Sequence, residues 1–439
     1  MALLVRAKAV LLSMRAPRLF PKPSSAGFRG MRLLKNVSVG VGARIVVQIL
    51  AFFNVVYLAR ILSPDRFGEL NLATAIVGYF GLVAAFGLPT IGSREVARNP
   101  EDTPVLAGQI VLLRCALAAS SYVLLMVFVV LTPLSFEVKL LTLFLGVGVL
   151  TQPFVLDWVF IGLSKMEIAA AGVVVSSVII VGLTLVVVRR ADDVLWIPVT
   201  TLAGSLGATA LLYRWLRRQF GIRWHINLSV AKSLMRVAAP ITLSGLMIQS
   251  YVTGDTVLLG FFQGSYAVGL YNSAYKFILI ANSLNALYVQ ALIPEVARIY
   301  AEDPTQVIRF VTRASYLGAL LGVALVLLVT FNGHELMLRL FGSNYADSGA
   351  LLKILVWSTA ITLVSQNYAN GLLACRYEKL FLWGVAIGAV FNIGLNLLLI
   401  PQFGAVAAAV TTVLTEFVVF IFMFLAARRY LTVQPAPSV

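Results

Sequence analysis

Charged side chains are scarce in this chain. Asp, Glu, Lys and Arg make up 12% of its 439 residues, whereas 60% of the residues are hydrophobic. Soluble domains carry about twice that fraction of charge, so the composition excludes an ordinary water-soluble fold. No polar stretch is long enough to form a separate soluble domain. An enzyme with a large extramembrane catalytic domain is therefore not expected.

Cysteine and histidine are equally rare. Cys115 and Cys375 lie in or beside apolar segments, so they offer no disulfide framework. His225 and His334 are far apart and lack the spacing of metal ligands. We therefore expect no metal site, no cofactor and no covalent catalysis.

Long apolar runs are what the sequence has in abundance. A run of about 20 apolar residues is long enough to cross a bilayer as a helix. Twelve such runs are present, which predicts an all-α polytopic membrane protein. They cover roughly 37–59, 69–90, 107–131, 139–162, 168–188, 195–215, 237–262, 267–292, 308–331, 350–374, 380–400 and 404–427.

The two halves of the chain resemble each other. Glu95–Arg98 and Glu295–Arg298 have the same sequence, and the run that begins at Gly68 is similar to the run that begins at Gly269. A weaker similarity relates Val181–Leu185 to Ile393–Leu397. Since each half has six spans, both halves enter the membrane in the same direction. The sequence therefore predicts a parallel repeat, with two six-helix bundles around a central cavity.

The repeat divides the chain into a basic tail (1–36), a first bundle (37–216), a basic linker (217–236), a second bundle (237–430) and a C-terminal tail (431–439). Residues 1–35 contain no acidic side chain. We interpret this tail as a cytoplasmic segment or as a start assigned too early, since Met31 would open the first helix cleanly. An organellar transit segment is the alternative.

The distribution of charge orients the spans. With the N-terminus in the cytoplasm, most of the 34 basic residues fall on the cytoplasmic side, as the positive-inside rule requires. Both termini are then cytoplasmic, and we expect a multi-pass protein of the plasma (inner) membrane. The net charge of +16 is explained by contact with anionic headgroups of the bilayer, so no nucleic-acid partner is expected.

Six ionisable side chains fall inside predicted spans, where a charge costs about 2.5–3.5 kcal/mol on insertion scales. They are Arg44, Arg114, Asp157, Asp255, Lys276 and Glu416. Cations that face a space between the two halves would bind an anionic group such as a diphosphate. We therefore predict that Arg44, Arg114 and Lys276 form a substrate site. The three carboxylates are candidates for coupling to H⁺ or Na⁺.

Each of these charges also has a structural interpretation. Arg44 and Arg114 could extend to the headgroups. Asp157 could be a solvated charge at a helix end. Asp255 and Lys276, on consecutive spans, could neutralise one another, whereas Glu416 has no partner adjacent in sequence.

Uncharged polar residues within the spans are candidates for the lining of a wet cavity, and Gln48 and Asn285 are the main ones. The others are Asn54, Gln152, Gln249, Asn282, Asn367, Asn370, Asn392 and Asn396. Hydrogen bonds between helices are the alternative for each of them.

The charges of the repeated Glu-Val-Ala-Arg motif lie at the cytoplasmic ends of equivalent spans. We predict that Glu95, Arg98, Glu295 and Arg298 form a rim whose salt bridges change as the cavity alternates. Ordinary helix-end charges at the headgroups are the alternative.

Several motifs of this chain, spread over roughly residues 31–430, resemble one family in their order and spacing. They are Leu62–Gly68, Phe86–Pro89, Arg94–Arg98, Asp157–Gly162, Asp255–Gly260, Gly269–Tyr271 and Ala274–Lys276. The chain is similar to the polysaccharide and O-antigen lipid flippases, whose superfamily includes the multidrug and toxin extrusion proteins and the lipid II flippases.

The resemblance implies two six-helix bundles around a V-shaped cavity that opens alternately to each side of the membrane. It also implies a substrate, a polyprenyl-diphosphate-linked oligosaccharide, that moves from the inner to the outer leaflet, and it allows partners in polysaccharide assembly. Lys276 and Arg44 stand where lipid II flippases carry basic residues. The two additional helices usual in lipid II flippases are not found in this sequence.

The sequence also bears on three other functions. Drug-extruding relatives typically keep an acidic residue in the first helix, and this chain has none there, which counts against a drug or toxin antiporter. A membrane polysaccharide polymerase or polyprenyl-dependent glycosyltransferase would need an acidic or arginine-bearing loop large enough to hold an acceptor. The longest predicted outer loop, from about 331 to 349, has no paired carboxylates. A membrane scaffold without transport activity would not explain the charges within the spans.

Overall fold

A computed structural model describes residues 26–219 and 221–432 of the protein. Within those ranges all regular structure is helical. The α-helices are α1 (Ala26–Ile61), α2 (Pro64–Ala85), α3 (Leu88–Arg98), α4 (Thr103–Leu131), α5 (Phe136–Thr151), α6 (Asp157–Gly162), α7 (Met166–Val187), α8 (Ile197–Gln219), α9 (Leu228–Glu302), α10 (Val307–Phe341), α11 (Ser348–Ala374) and α12 (Glu378–Tyr430). Short 3₁₀ turns precede α4, α6, α8, α10 and α11.

Two of these helices are too long to cross a membrane once. At about 1.5 Å per residue, the 75 residues of α9 would extend far beyond a hydrocarbon core of about 30 Å. Non-helical backbone angles interrupt α9 at Gly264 and α12 at Gly404, both with positive φ. Hydrogen bonds between Thr256 and Asn272 show that α9 folds back on itself.

Ten described helical stretches are long and apolar enough to span a bilayer. Dividing α9 and α12 at their glycines gives twelve segments, which is consistent with the twelve predicted spans. The predicted boundaries at 262–267 and 400–404 enclose these two breaks.

The structure moves several predicted boundaries. Helix α1 begins at Ala26, within the predicted tail, and α9 begins at Leu228, within the predicted linker. The predicted outer loop from about 331 to 349 is helical as far as Phe341. These helices continue beyond the apolar runs, through residues that no longer match the uniform apolar pattern of a span. Residues 1–25 and 433–439 of the predicted tails lie outside the described ranges.

Local sequence explains where several helices begin and bend. The Ser63 hydroxyl accepts a hydrogen bond from the Arg66 backbone N–H, and Pro64 occupies the first turn of α2. Ser135 caps α5 in the same way. Between α2 and α3, Phe86 and Gly87 both take left-handed backbone angles, so the second predicted span has a break near one end.

The outside of the protein is strongly apolar. Large hydrophobic side chains are exposed along α1, for example Ile49 and Phe53, and along α10, for example Leu320 and Phe331. Soluble proteins rarely expose continuous apolar surface of this extent, whereas a lipid-facing helix requires it. The chain is therefore a multi-pass membrane protein.

The largest hydrophobic cluster among the described residues joins the two halves at one end of the protein. We call the end with the turns at 61–64, 131–136 and 341–348 the far end, and the opposite end, which carries the C-terminus of α12, the terminal end. At the far end a single cluster contains residues of both halves, among them Phe67, Tyr271 and Tyr345. At the terminal end there are two clusters. One is built around α3, α4 and α6 together with the start of α9, and the other around α10, α11 and the end of α12.

These clusters give the protein its shape. Among the described residues, the terminal-end cluster of the second half contains no residue of the first half. The halves therefore remain packed along α2 and the first segment of α9, and they part toward the terminal end on the side of the second half's own cluster. We call the space between α1 and residues 265–302 of α9 the terminal-end gap.

The two Glu-Val-Ala-Arg copies occupy equivalent places in this arrangement. Val96 is buried in the terminal-end cluster of the first half, and Val296 is buried in that of the second half. A short 3₁₀ turn follows each copy, Pro100–Asp102 and Pro304–Gln306. The internal repeat of the sequence is thus also a repeat of local structure.

Candidate functional site

One face of α1 is directed toward the second half of the protein. The ring of Phe52 contacts that of Phe277, with centroids 6.3 Å apart. Arg44 and Gln48 precede Phe52 by two turns and one turn, so the three residues form a stripe along α1. Gln48 is half-buried and Arg44 is exposed. The stripe therefore follows the terminal-end gap away from the point where the halves meet.

Lys276 lies at the closed end of this gap. It precedes Phe277 on α9 and is half-buried. On its other side Tyr275 stacks on Tyr271 with ring centroids 5.6 Å apart. Lys276 thus lies between two residues whose rings pack near the junction of the two halves. Arg44 is about 12 Å nearer the terminal end, because it precedes Phe52 by eight residues of helix.

Asp255 belongs to a separate polar network inside the second half. Its carboxylate accepts hydrogen bonds from the Tyr271 hydroxyl at 2.7 Å, the Thr412 hydroxyl at 2.8 Å and the Asn396 amide. Asn396 also donates to Asn392 at 3.0 Å. Both segments of α9 and both segments of α12 contribute to this network, so the breaks at Gly264 and Gly404 assemble it.

Asp255 and Lys276 do not neutralise one another in the described structure. The carboxylate is 2% exposed and directs its oxygens toward the hydroxyl and amide donors, and no ion pair within 4 Å joins it to Lys276. The cation and the anion therefore belong to two different sites.

Glu416 has a partner that adjacent sequence does not reveal. It is half-buried, and its carboxylate accepts a hydrogen bond from the hydroxyl of Tyr251 on the first segment of α9. The pair joins α9 to α12 within the second half.

Arg114 lies inside the first half of the protein. It is 4% exposed, and its guanidinium donates to the carbonyl oxygens of Gln152 at 2.7 Å, Val155 at 3.4 Å and Pro153 at 3.5 Å. These carbonyls are freed where the fourth predicted span breaks between α5 and α6. Arg114 thus neither reaches the headgroups nor extends into the terminal-end gap in this conformation.

Asp157 is the first residue of the short helix α6, beyond the same break. Its carboxylate accepts from the Trp158 N–H at 2.8 Å, and the side chain is half-buried. An anion at a helix N-terminus is favourable, because the helix dipole is positive there. Asp157 thus lies at a helix end, but it is half-buried rather than solvated.

Asn285 hydrogen-bonds across two helices. Its amide donates to the side-chain oxygen of Gln366 on α11 at 3.1 Å, and Asn285 is buried. Gln249 instead bonds within its own helix, to Thr253 at 3.1 Å.

Three hydroxyl residues of these networks were absent from the predicted site: Tyr251, Tyr271 and Thr412. Tyr271 lies in the repeated run that begins at Gly269, and this was the one signal in the sequence that could have indicated it. The partners of Tyr251 and Thr412 are more than 150 residues away, so no local pattern points to them.

Comparison with known proteins agrees with this architecture. The sequence profile of a family described as polysaccharide biosynthesis protein matches residues 33–300. The chain belongs to this family. It is 21% identical over 379 residues to a putative O-antigen transporter of Shigella dysenteriae, covering 85% of this chain and 94% of that one.

Solved structures show the same fold. An inward-facing multidrug resistance MATE family transporter of the MOP superfamily has a TM-score of 0.74 at 15% identity, over 88% of this chain and 94% of that chain. Lipid II flippase MurJ in an inward closed conformation has a TM-score of 0.72 at 12% identity, over 89% of this chain and 87% of that chain. Identities this low support the fold alone.

In this member of the polysaccharide biosynthesis protein family, the charges of each repeated motif pair within their own helix. Arg98 bonds to Glu95 at 2.9 Å, whereas Arg298 bonds to Glu295 at 2.6 Å and to Glu302 at 3.1 Å. Exposed pairs between neighbours on one helix contribute little to stability.

The predicted rim can be tested by neutralising the glutamate in both copies of the Glu-Val-Ala-Arg motif. We expect the double variant Glu95→Gln and Glu295→Gln to retain transport within about twofold, because neither pair joins the two halves in this conformation. The measurement is the amount of exported glycan at matched protein level. A large loss of export would show that these charges do act as a rim.

Arg114 is expected to matter for stability in this family member. Replacing it with Met leaves three carbonyl oxygens at the α5–α6 break without their donor, which costs about 2 kcal/mol of folding free energy. We expect a lower unfolding temperature in detergent, with Arg114→Lys intermediate because it keeps the charge but not the planar fork. Equal unfolding temperatures for wild type and the Met variant would show that these hydrogen bonds do not stabilise the fold.

Proposed function

We propose that this protein moves a polyprenyl-diphosphate-linked oligosaccharide from the cytoplasmic to the outer leaflet, for polysaccharide biosynthesis. The observation that carries the proposal is the position of Lys276, a half-buried cation at the closed end of a gap between two membrane-spanning halves. A diphosphate is the part of such a lipid that a buried ammonium group binds. Similar proteins support the proposal, since one is named a putative O-antigen transporter and another a lipid II flippase.

The depth of the two cations suggests an order of events. Arg44 is exposed and lies about 12 Å nearer the terminal end than Phe52, so the diphosphate meets its guanidinium first. Lys276 then holds the diphosphate beside the closed far end. The polar stripe through Gln48 accommodates the sugar, and no covalent step is required. Arg114 would join this site only if the α5–α6 break rearranged and released its guanidinium.

The terminal end is proposed to face the cytoplasm of a plasma (inner) membrane. The chain between α8 and α9 and the helix ends that flank it carry a cluster of arginines, among them Arg217, Arg218 and Arg223. Basic connections concentrate on the cytoplasmic face of membrane proteins. With this orientation the terminal-end gap is open to the leaflet in which the lipid-linked sugar is made.

The network around Asp255 is proposed to couple transport to H⁺ or Na⁺. Besides the carboxylate, it presents the hydroxyl oxygens of Tyr271 and Thr412 and the Asn396 side-chain oxygen, which is buried without a protein partner. An oxygen-rich pocket of this kind suits a proton or a hard monovalent cation. Asp255 would hold the cation, and Asn396 and Thr412 would complete its oxygen shell.

A drug or toxin antiporter is the second candidate. The fold of a multidrug transporter and two acidic residues in the second half, Asp255 and Glu416, favour it. The described α1 carries no acidic side chain, and the charge in the terminal-end gap is positive. That polarity favours an anionic substrate.

The direct cellular test is the leaflet distribution of the lipid-linked sugar. In cells depleted of the protein, we expect the sugar to become inaccessible to a membrane-impermeant lectin added outside and to accumulate on the inner leaflet. Unchanged accessibility would contradict the proposed function. A change in drug susceptibility with normal accessibility would support the antiporter instead.

A further inference from the structure

The far-end closure is centred on two glycines that are equivalent in the internal repeat. Gly68 lies one turn after Pro64 at the start of α2, and Gly269 lies one turn after Ser265 at the start of the second segment of α9. A β-carbon at Gly68 would overlap the carbonyl oxygen of Ser265, and a β-carbon at Gly269 would overlap that of Pro64. Each glycine thus packs on the residue one turn before its counterpart. This reciprocity places a pseudo-two-fold axis between the two glycines.

The contact between the glycines joins backbone to backbone. Side chains can change rotamer to relieve a close approach, but the two carbonyl oxygens are fixed in their helices, so only glycine fits at both positions. The other glycines of α2 and α9 that face the opposite helix approach it through side chains. For example, a β-carbon at Gly260 would meet only the side chain of Leu72.

Polar contacts between the halves surround the two glycines. The Arg60 guanidinium at the end of α1 donates to the carbonyl oxygen of Leu340 at 2.8 Å and to that of Arg339. The Tyr345 hydroxyl donates to the carbonyl oxygen of Leu62 at 3.1 Å. All of these bonds cross from the first half to the second at the far end, so opening that end must break them together.

We propose that Gly68 and Gly269 form a latch that holds the far end closed. The two helices can approach this closely only while both positions lack a side chain. In a state with the far end open the helices are apart, and that state tolerates an alanine at either position. A single methyl group therefore raises the free energy of the closed state alone and shifts the population toward the open one.

The test is a distance measurement between spin labels in lipid nanodiscs. Labels on Phe136→Cys and Phe403→Cys, both exposed at the far end on opposite halves, report its opening in a background of Cys115→Ala and Cys375→Ala. We expect Gly68→Ala and Gly269→Ala each to raise the long-distance fraction at least about twofold, and by similar amounts. The measurement does not depend on the identity of the substrate.

Gly182 and Gly394 provide a matched control. They are also equivalent in the repeat and also lie within helices, but a β-carbon on either would meet no atom within 4 Å. Alanine at these positions should leave the distance distribution unchanged. If the variants of the latch match these controls, the proposal is overturned.

A second variant covers the case in which the latch variants do not fold. Arg60 is exposed, so Arg60→Ala removes two bonds across the far end without disturbing the core. We expect it to shift the distribution in the same direction by a smaller amount. Should the latch variants fail to fold and Arg60→Ala leave the distribution unchanged, the far end is not held by this set of contacts and the latch is rejected.

Discussion

Replacing Lys276 with Glu is expected to abolish glycan export. The substitution removes the half-buried cation at the closed end of the gap and puts an anion where the diphosphate would bind. Truncation of one partner of a buried charged pair costs about 2–5 kcal/mol, so we expect a loss of about 30-fold or more in transport rate. The measurement is surface glycan in cells that lack their own copy and express the variant at matched level.

Two variants separate the charge of Lys276 from its size. Lys276→Arg keeps the positive charge and should retain most of the export, whereas Lys276→Met keeps the apolar stem and should lose it. Arg44→Glu should also reduce export, by a smaller factor because Arg44 is exposed. Normal export by Lys276→Glu would remove the cationic site from the account.

Replacing Asp255 with Asn is expected to uncouple transport from its driving ion. Asn has nearly the shape of Asp and can keep the hydrogen bonds from the Tyr271 and Thr412 hydroxyls, so the fold should survive. The carboxylate charge that would bind a cation is lost. In proteoliposomes, we expect the stimulation of transport by an imposed Na⁺ or H⁺ gradient to fall at least about tenfold.

Glu416 is the matched control for Asp255. It is the other carboxylate among the spans of the second half, and it bonds to Tyr251 rather than to the Asp255 network. Glu416→Gln should keep the response to the gradient. The opposite pattern, a response that survives in Asp255→Asn and disappears in Glu416→Gln, would move the coupling site to Glu416.

The spans and their order could be predicted from the sequence, because a membrane imposes one length scale on every apolar helix. The turns at Gly264 and Gly404 therefore fall at boundaries between predicted spans. The break at Phe86 and Gly87 was not predicted, since it interrupts a run that is apolar on both sides. The starts of α1 and α9 and the end of α10 were also missed, because these helices extend beyond the apolar runs that predicted the spans.

The candidate site was harder to predict, since composition does not fix the rotation of a helix about its axis. Arg114 and Arg44 looked equivalent in the sequence, yet one is 4% exposed with its donors on backbone carbonyls and the other is exposed on α1. Similarly, the sequence places Asp255 and Lys276 on consecutive predicted spans, which makes Lys276 a possible partner. The residues that bond to it, Thr412 and Asn396, come from helices more than 100 residues away and became apparent only in the folded chain.

The repeat carried more information than its motif alone suggested. The two Glu-Val-Ala-Arg copies lie in equivalent places, but each forms its own salt bridge within one helix. The less conspicuous similarity, between the runs that begin at Gly68 and Gly269, marks the point where the two halves touch through their backbones. Glycine is required at both positions, because each one packs against a backbone carbonyl of the other half.

The most direct measurement is lipid transport by the purified protein. In proteoliposomes that contain a polyprenyl-diphosphate-linked oligosaccharide, we predict that the wild-type protein moves the lipid between leaflets, as detected with a membrane-impermeant lectin or glycosidase. The Lys276→Glu variant should not exceed protein-free liposomes. Two results would contradict the account. One is wild-type protein that transfers no more lipid than protein-free liposomes under imposed Na⁺ and H⁺ gradients. The other is a Lys276→Glu variant that transfers lipid as fast as wild type.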